Sequence, residues 1–64
     1  MKLPEAAKLA VENEDARMAR GVAEALRFRC GMNAEQTYQK VHTWTAVGRE
    51  AWEELMYAAD SLVS

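Results

Sequence analysis

Cysteine, histidine and proline each occur only once in this 64-residue sequence, and there are only three glycines. The single cysteine, Cys30, cannot form an internal disulfide, so it says little about the redox compartment. The single histidine, His42, lacks the second histidine, four residues away, that a helical zinc site needs. Nothing else has the spacing of a catalytic, metal-binding or nucleotide-binding motif. We therefore expect a non-enzymatic protein with no metal, no cofactor and no small-molecule substrate.

Long uncharged apolar runs are also missing, and the opening residues do not resemble an export signal. These two absences favour a cytoplasmic protein that does not enter a membrane. Ten acidic and eight basic residues give a net charge of -2. The chain as a whole therefore has no attraction to nucleic acid or to an anionic membrane, and any such attraction must come from a local cluster.

The short length limits how much stability the chain can gain alone. A domain of this size removes only about 60% of its unfolded surface from water. Small domains usually compensate with disulfides, a metal or oligomerisation. With one cysteine and one histidine available, oligomerisation is the remaining route.

Local signals predict two helices joined by a tight turn. Pro4 suits the first turn of a helix, and Gly31 suits the left-handed position that ends one. Asn33 and Gln36 have the spacing of a capping box that begins the next helix. The prediction is an all-α single domain over residues 1–64, with helix 1 at about 4–30, a turn at 31–33 and helix 2 at about 34–62, packed as an antiparallel hairpin.

Small and apolar side chains recur in a four-three alternation from Ala34 to Leu62, as in a helix that packs along a partner helix. Helix 1 carries two neighbouring apolar lines. A lone hairpin would leave much of its tryptophan-bearing stripe in water, so we expect a homodimeric four-helix bundle. The residues expected in the core and the dimer interface are Val11, Met18, Val22, Leu26, Val41, Trp44, Gly48, Trp52, Leu55, Met56 and Leu62.

Two positions interrupt these apolar stripes. Asp15 lies among apolar neighbours on helix 1, where an unpaired carboxylate would be costly. Arg49 is level with Asp15 in the expected hairpin, so we predict a structural ion pair between them. Gly48 lies one turn from both tryptophans, and a glycine inside a helix there suggests a notch for close approach of a second helix.

Phe28 and Tyr57 both project from the polar sides of their predicted helices. Because aromatics and arginines carry much of the energy of protein interfaces, we predict a partner-binding set of Arg17, Arg20, Arg27, Phe28 and Tyr57. The alternatives are that Phe28 folds over the turn onto Met32, that Tyr57 is simply exposed, and that the arginines form a solvated face. Cys30 is expected to pack near the turn as a small apolar residue.

The sequence therefore indicates a small regulatory or inhibitory protein that homodimerises and binds another protein, in the general style of phage or plasmid accessory proteins. One alternative is an RNA-binding regulator, because arginines around an exposed aromatic can hold phosphates and stack bases. Another is an assembly subunit whose tryptophan-rich stripe pairs with the helix of a different protein.

Overall fold

The computed structural model describes residues 1–63, and this part of the chain is helical without a strand. The helices are α1 (Leu3–Glu12), α2 (Ala16–Glu24), α3 (Ala34–Thr45) and α4 (Arg49–Val63), and α2 runs directly into a π-helical turn (Ala25–Arg29). The all-α prediction is confirmed. The two long helices expected from the sequence are each divided in two. Over residues 1–63, every helix falls short of the length and apolar character that a membrane span requires.

The first division lies between Glu12 and Ala16. Glu14 takes a left-handed backbone conformation with a φ of 50°. Asp15 is the N-cap of α2, and its carboxylate accepts a hydrogen bond from the Met18 N–H at 3.1 Å. Aspartate is among the best N-cap residues, because its side chain satisfies an N–H that the helix leaves unpaired. Asp15 was expected to need an arginine partner, but its carboxylate accepts a backbone N–H of α2 instead.

The second division lies at residues 46–48, inside the predicted helix 2. Ala46 ends α3 with a φ of 61°. The carbonyl oxygen of Val47 then accepts hydrogen bonds from the Tyr38 hydroxyl at 3.0 Å and from His42 Nδ1 at 2.9 Å. The second of these requires the histidine tautomer that carries its proton on Nδ1. These bonds fix the turn against α3, and the seam predicted from the sequence does not continue through it.

An ion pair between α3 and α4 shows how sharply the chain bends at this turn. Arg49 donates two hydrogen bonds to the carboxylate of Glu35, at 2.9 Å and 2.7 Å. In one continuous helix these residues, 14 positions apart, would be separated by about 21 Å along the axis. The chain therefore turns sharply between α3 and α4.

The apolar faces of the helices meet in one core. α1 packs on α2 and α3, and α2 packs on α4. Leu26 and Val41 are the largest fully buried side chains, and Trp52 is 5% exposed. The chain measures 25 × 24 × 22 Å, whereas two long helices would make rods of about 40 Å.

Most of the residues expected at a dimer interface belong to this core. The buried ones are Val22, Leu26, Val41 and Trp52. The partly buried ones that pack against them are Val11, Met18, Trp44, Leu55 and Met56. Gly48 and Leu62 are exposed. The prediction of a dimer assumed a hairpin that leaves the tryptophan stripe in water, whereas the observed turns bring Trp52 into the core of one chain and leave Leu62 exposed.

Candidate interaction surface

The end of α2 widens into the π-helical turn, in which backbone hydrogen bonds join residues five apart. The Met32 N–H closes this end by donating to the Leu26 carbonyl at 3.1 Å, one residue further back than in an ordinary Schellman motif. Gly31 supplies the required positive φ of 67°. Residues 27–30 are all exposed after the buried Leu26.

Three of these residues, Arg27, Phe28 and Arg29, form a surface that we call the Arg–Phe ridge. Phe28 is 79% exposed, among the most exposed large hydrophobic side chains of the described chain. It does not fold over the turn, because Met32 packs against the core instead. π-Helical turns are rare and often lie at functional sites. The ridge is therefore the first candidate for a binding surface.

Arg27 and Arg29 flank Phe28 along the chain. Among residues 1–63, neither Arg27 nor Arg29 takes part in an ion pair. An open hollow of about 510 Å³ adjoins the ridge between Cys30 and α3, and Lys40 lies in its wall. The Lys40 ammonium stands over the ring of Trp44 at 5.8 Å. The ridge itself can therefore meet negative charge with two cations and one aromatic ring.

The observed positions of Cys30 and Arg29 differ from the sequence predictions. Cys30 was expected to pack near the turn, but it is exposed and adjoins the ridge. Arg29 was counted among the arginines around Phe28 but was left out of the predicted partner-binding set, and the structure places it exposed beside Phe28. The error at Cys30 comes from the assumed 3.6-residue period, since a π-helical turn shifts every later side chain around the axis. No local sequence signal marks that widening.

Arg20 has a structural role that the sequence did not reveal. It pairs with Glu24 one turn along α2 at 3.0 Å, and it also hydrogen-bonds to Asp60 on α4. The Asp60 carboxylate, and after it Glu24, raise the pKa of the Arg20 guanidinium. Arg20 therefore ties α2 to α4. Arg17 is exposed but lies about 15 Å from Arg27 along the helix, so it is not part of the ridge.

The predicted ion pair between Asp15 and Arg49 is absent, since Asp15 caps α2 and Arg49 pairs with Glu35. The Arg49 guanidinium also stands over the ring of Tyr38 at 4.4 Å. Hydrogen bonds from Arg49 and from Gln39 lower the pKa of Glu35 from 4.5 to about 2. Arg49 therefore joins the start of α3 to the start of α4, and the earlier assignment failed because it relied on the register of a hairpin.

Tyr57 and Gly48 lie away from the ridge, on or beside α4. Tyr57 is 78% exposed, as predicted, and its neighbours on α4 include Glu53 and Glu54. Gly48 does not form the expected notch, because a Cβ atom built there would meet nothing within 4 Å. Its carbonyl instead accepts the Trp52 N–H at 3.0 Å in the first turn of α4.

Among residues 1–63, the surface thus includes the basic Arg–Phe ridge on the π-helical turn and the acidic helix α4. Comparisons with known protein families, with curated proteins and with solved structures found no match.

Proposed function

We propose that this protein is a small non-enzymatic regulator or inhibitor that binds an acidic surface of another protein through the Arg–Phe ridge. The observation that carries the proposal is the 79% exposure of Phe28 between two arginines that have no ion-pair partner among the described residues. An aromatic residue held outward on a helix is available as an anchor for a partner.

The energy available at this surface is sufficient for an interface hot spot. Burying an exposed phenylalanine side chain gains about 1.5–3 kcal/mol. Hot spots are enriched in aromatics and arginine, and truncating one typically costs 2 kcal/mol or more, about 30-fold in Kd. Arg27 and Arg29 would add charge-assisted hydrogen bonds to carboxylates, which give orientation and speed association.

Each of the two alternatives relied in part on a residue that this fold uses elsewhere. RNA binding relied on a run of arginines, and Arg20 is engaged by Glu24 and Asp60. Pairing with a foreign helix relied on a tryptophan stripe in water, and Trp52 is buried. A homodimer is no part of the proposal, because one reason to expect it was a tryptophan-bearing stripe in water, and Trp52 of that stripe is buried within one chain.

The test is affinity capture from the native host with immobilised protein, comparing wild type with Phe28→Ala and with the double change Arg27→Glu, Arg29→Glu. We expect a protein that wild type retains and both variants lose, with binding that weakens as salt increases. Calorimetry on the purified pair should then show Phe28→Ala binding at least about tenfold more weakly.

Tyr57→Ala is the matched control, since Tyr57 is 78% exposed and Phe28 is 79% exposed. It removes an equally exposed aromatic from an acidic helix, and the captured protein should be retained. Loss of the partner in Tyr57→Ala but not in Phe28→Ala would contradict the proposal. Capture that disappears after ribonuclease treatment would assign the ridge to RNA instead.

A further inference from the structure

A second surface of opposite charge lies on the side of α4 next to Trp52. A groove of about 380 Å³ runs between the end of α1, the α3–α4 turn and α4. Its apolar lining is Val11, Val47, Ala51, Leu55 and Ala58. Because Glu14 and Glu54 also line it, we call it the acidic groove.

The apolar residues on α4 follow the spacing of a helix-packing seam. Ala51, Leu55 and Ala58 are separated by four and three positions, and Leu62, which is 54% exposed, continues the line. Such a line contacts one partner helix along its length. From Ala51 to Leu62 it extends about 16 Å, or roughly three turns. Trp52 and part of Leu55 pack into the core, whereas Ala51, Ala58 and Leu62 are exposed, so the exposed part of this line is available to a partner.

The negative charge of the groove favours a positively charged ligand. Glu14 and Glu54 form no ion pair among residues 1–63, and Glu50 adds a third carboxylate on α4. An occupant with matching positive charge would gain from these carboxylates, whereas a negative one would be repelled. The small side chains of Ala51 and Ala58 allow a helix backbone to approach closely.

We infer that the acidic groove binds a basic amphipathic helix of another protein, with apolar side chains at four-three spacing on one face and lysine or arginine beside them. This is the helix-in-groove mode of recognition. A second copy of this chain fits less well. Its own α4 carries the same carboxylates, and its Arg–Phe ridge offers one apolar side chain where the groove accepts a line of them.

The test uses a synthetic peptide of about three heptads, with leucine and alanine at the seam positions and lysine at the others. Fluorescence anisotropy measures its affinity for the full chain, and amide chemical shifts locate the bound peptide. A peptide of the same composition with shuffled apolar positions should bind at least about tenfold more weakly, since it presents no continuous seam. A peptide with glutamate in place of lysine should not bind detectably.

Glu54→Lys and Glu53→Lys form a matched pair of variants. They make the same change of charge on neighbouring residues of α4, but only Glu54 lines the groove. Glu54→Lys should weaken peptide binding by about tenfold, and Glu53→Lys by less than about threefold. Ala58→Arg should also weaken binding, because it fills the groove from an exposed helical position without touching the core. Thermal unfolding of each variant verifies that it is folded.

Equal losses in the two lysine variants, equal affinity for the shuffled peptide, or no binding at millimolar peptide would each overturn the inference. So would shifts of groove amides as the protein alone is concentrated, which would make a second copy the occupant. Phe28→Ala should leave peptide binding unchanged, so the outcome here is independent of the outcome for the Arg–Phe ridge.

Discussion

Replacing Ala46 with glycine tests the turn that separates α3 from α4. Ala46 has a φ of 61°, and an L-residue in this region costs about 1–2 kcal/mol that glycine avoids. Glycine in turn loses more backbone entropy on folding, an opposing effect of about 0.5–1 kcal/mol. Ala46 is exposed, so removing its methyl group opens no cavity. Ala46→Gly should therefore raise the free energy of unfolding by about 0.5–1 kcal/mol.

The sign of this effect distinguishes two folds. If residues 34–62 formed one helix, as the apolar alternation suggests, residue 46 would be inside it, and glycine would cost about 1 kcal/mol. The same substitution therefore stabilises the observed fold and destabilises the continuous helix. A change of 1 kcal/mol moves the Tm of a domain of this size by about 4–8 °C, which is easily measured.

The assay is urea and thermal unfolding followed by far-ultraviolet circular dichroism, with Ala58→Gly as the control. Ala58 is exposed and helical in both folds, so its replacement should lower stability by about 1 kcal/mol in either case. We expect the two glycine variants to shift in opposite directions. If both lose stability by the same amount, the left-handed turn at Ala46 is refuted.

Two further predictions concern the contacts around this turn. Arg49 lowers the pKa of Glu35 from 4.5 to about 2, so the ionised Glu35 stabilises wild type above pH 4.5, and this stabilisation is lost as the pH falls towards 2. Glu35→Gln should remove it. In urea unfolding, the stabilities of the two proteins should therefore converge between neutral and acid pH. Tyr38→Phe should cost about 0.5–1 kcal/mol, because the Val47 carbonyl loses one donor and keeps His42; an unchanged urea midpoint would contradict the hydrogen bond.

Helical character and helix ends near the middle of the chain were predictable from local signals. Gly31 takes the positive φ expected of it. The Asn33–Gln36 capping box is present with both reciprocal hydrogen bonds, at 2.8 Å and 3.0 Å. Such features depend on residues a few positions apart, so composition and spacing are sufficient to find them.

The two divisions of the helices were harder to predict, and for different reasons. Asn13 and Asp15 are residue types that favour helix ends, so the first division had a local signal that the apolar lines of helix 1 concealed. Ala46 has no such signal. Its strained conformation is compensated by distant contacts, including the burial of Val47 and Trp52 and the donors that reach the Val47 carbonyl. Those contacts exist only once the chain has folded.

The binding surface was predicted only in part. The exposure of Phe28 followed correctly from the helical wheel. The roles of Arg20 and Arg49 did not follow, since each depends on a partner, Asp60 or Glu35, that is distant in sequence. The ion pair predicted for Arg49 was wrong because it was taken from the register of a hairpin that the chain does not form.

The most direct test of this account is a nuclear Overhauser measurement between the Tyr38 ring and the side chain of Val47. The Tyr38 hydroxyl donates to the Val47 carbonyl at 3.0 Å, so the account predicts strong cross-peaks between the ring and residues of the turn. In an unbroken helix the two residues, nine positions apart, would be about 13 Å from each other. Absence of these cross-peaks, together with sequential helical contacts through residues 46–48, would contradict the turn on which the core and the acidic groove depend.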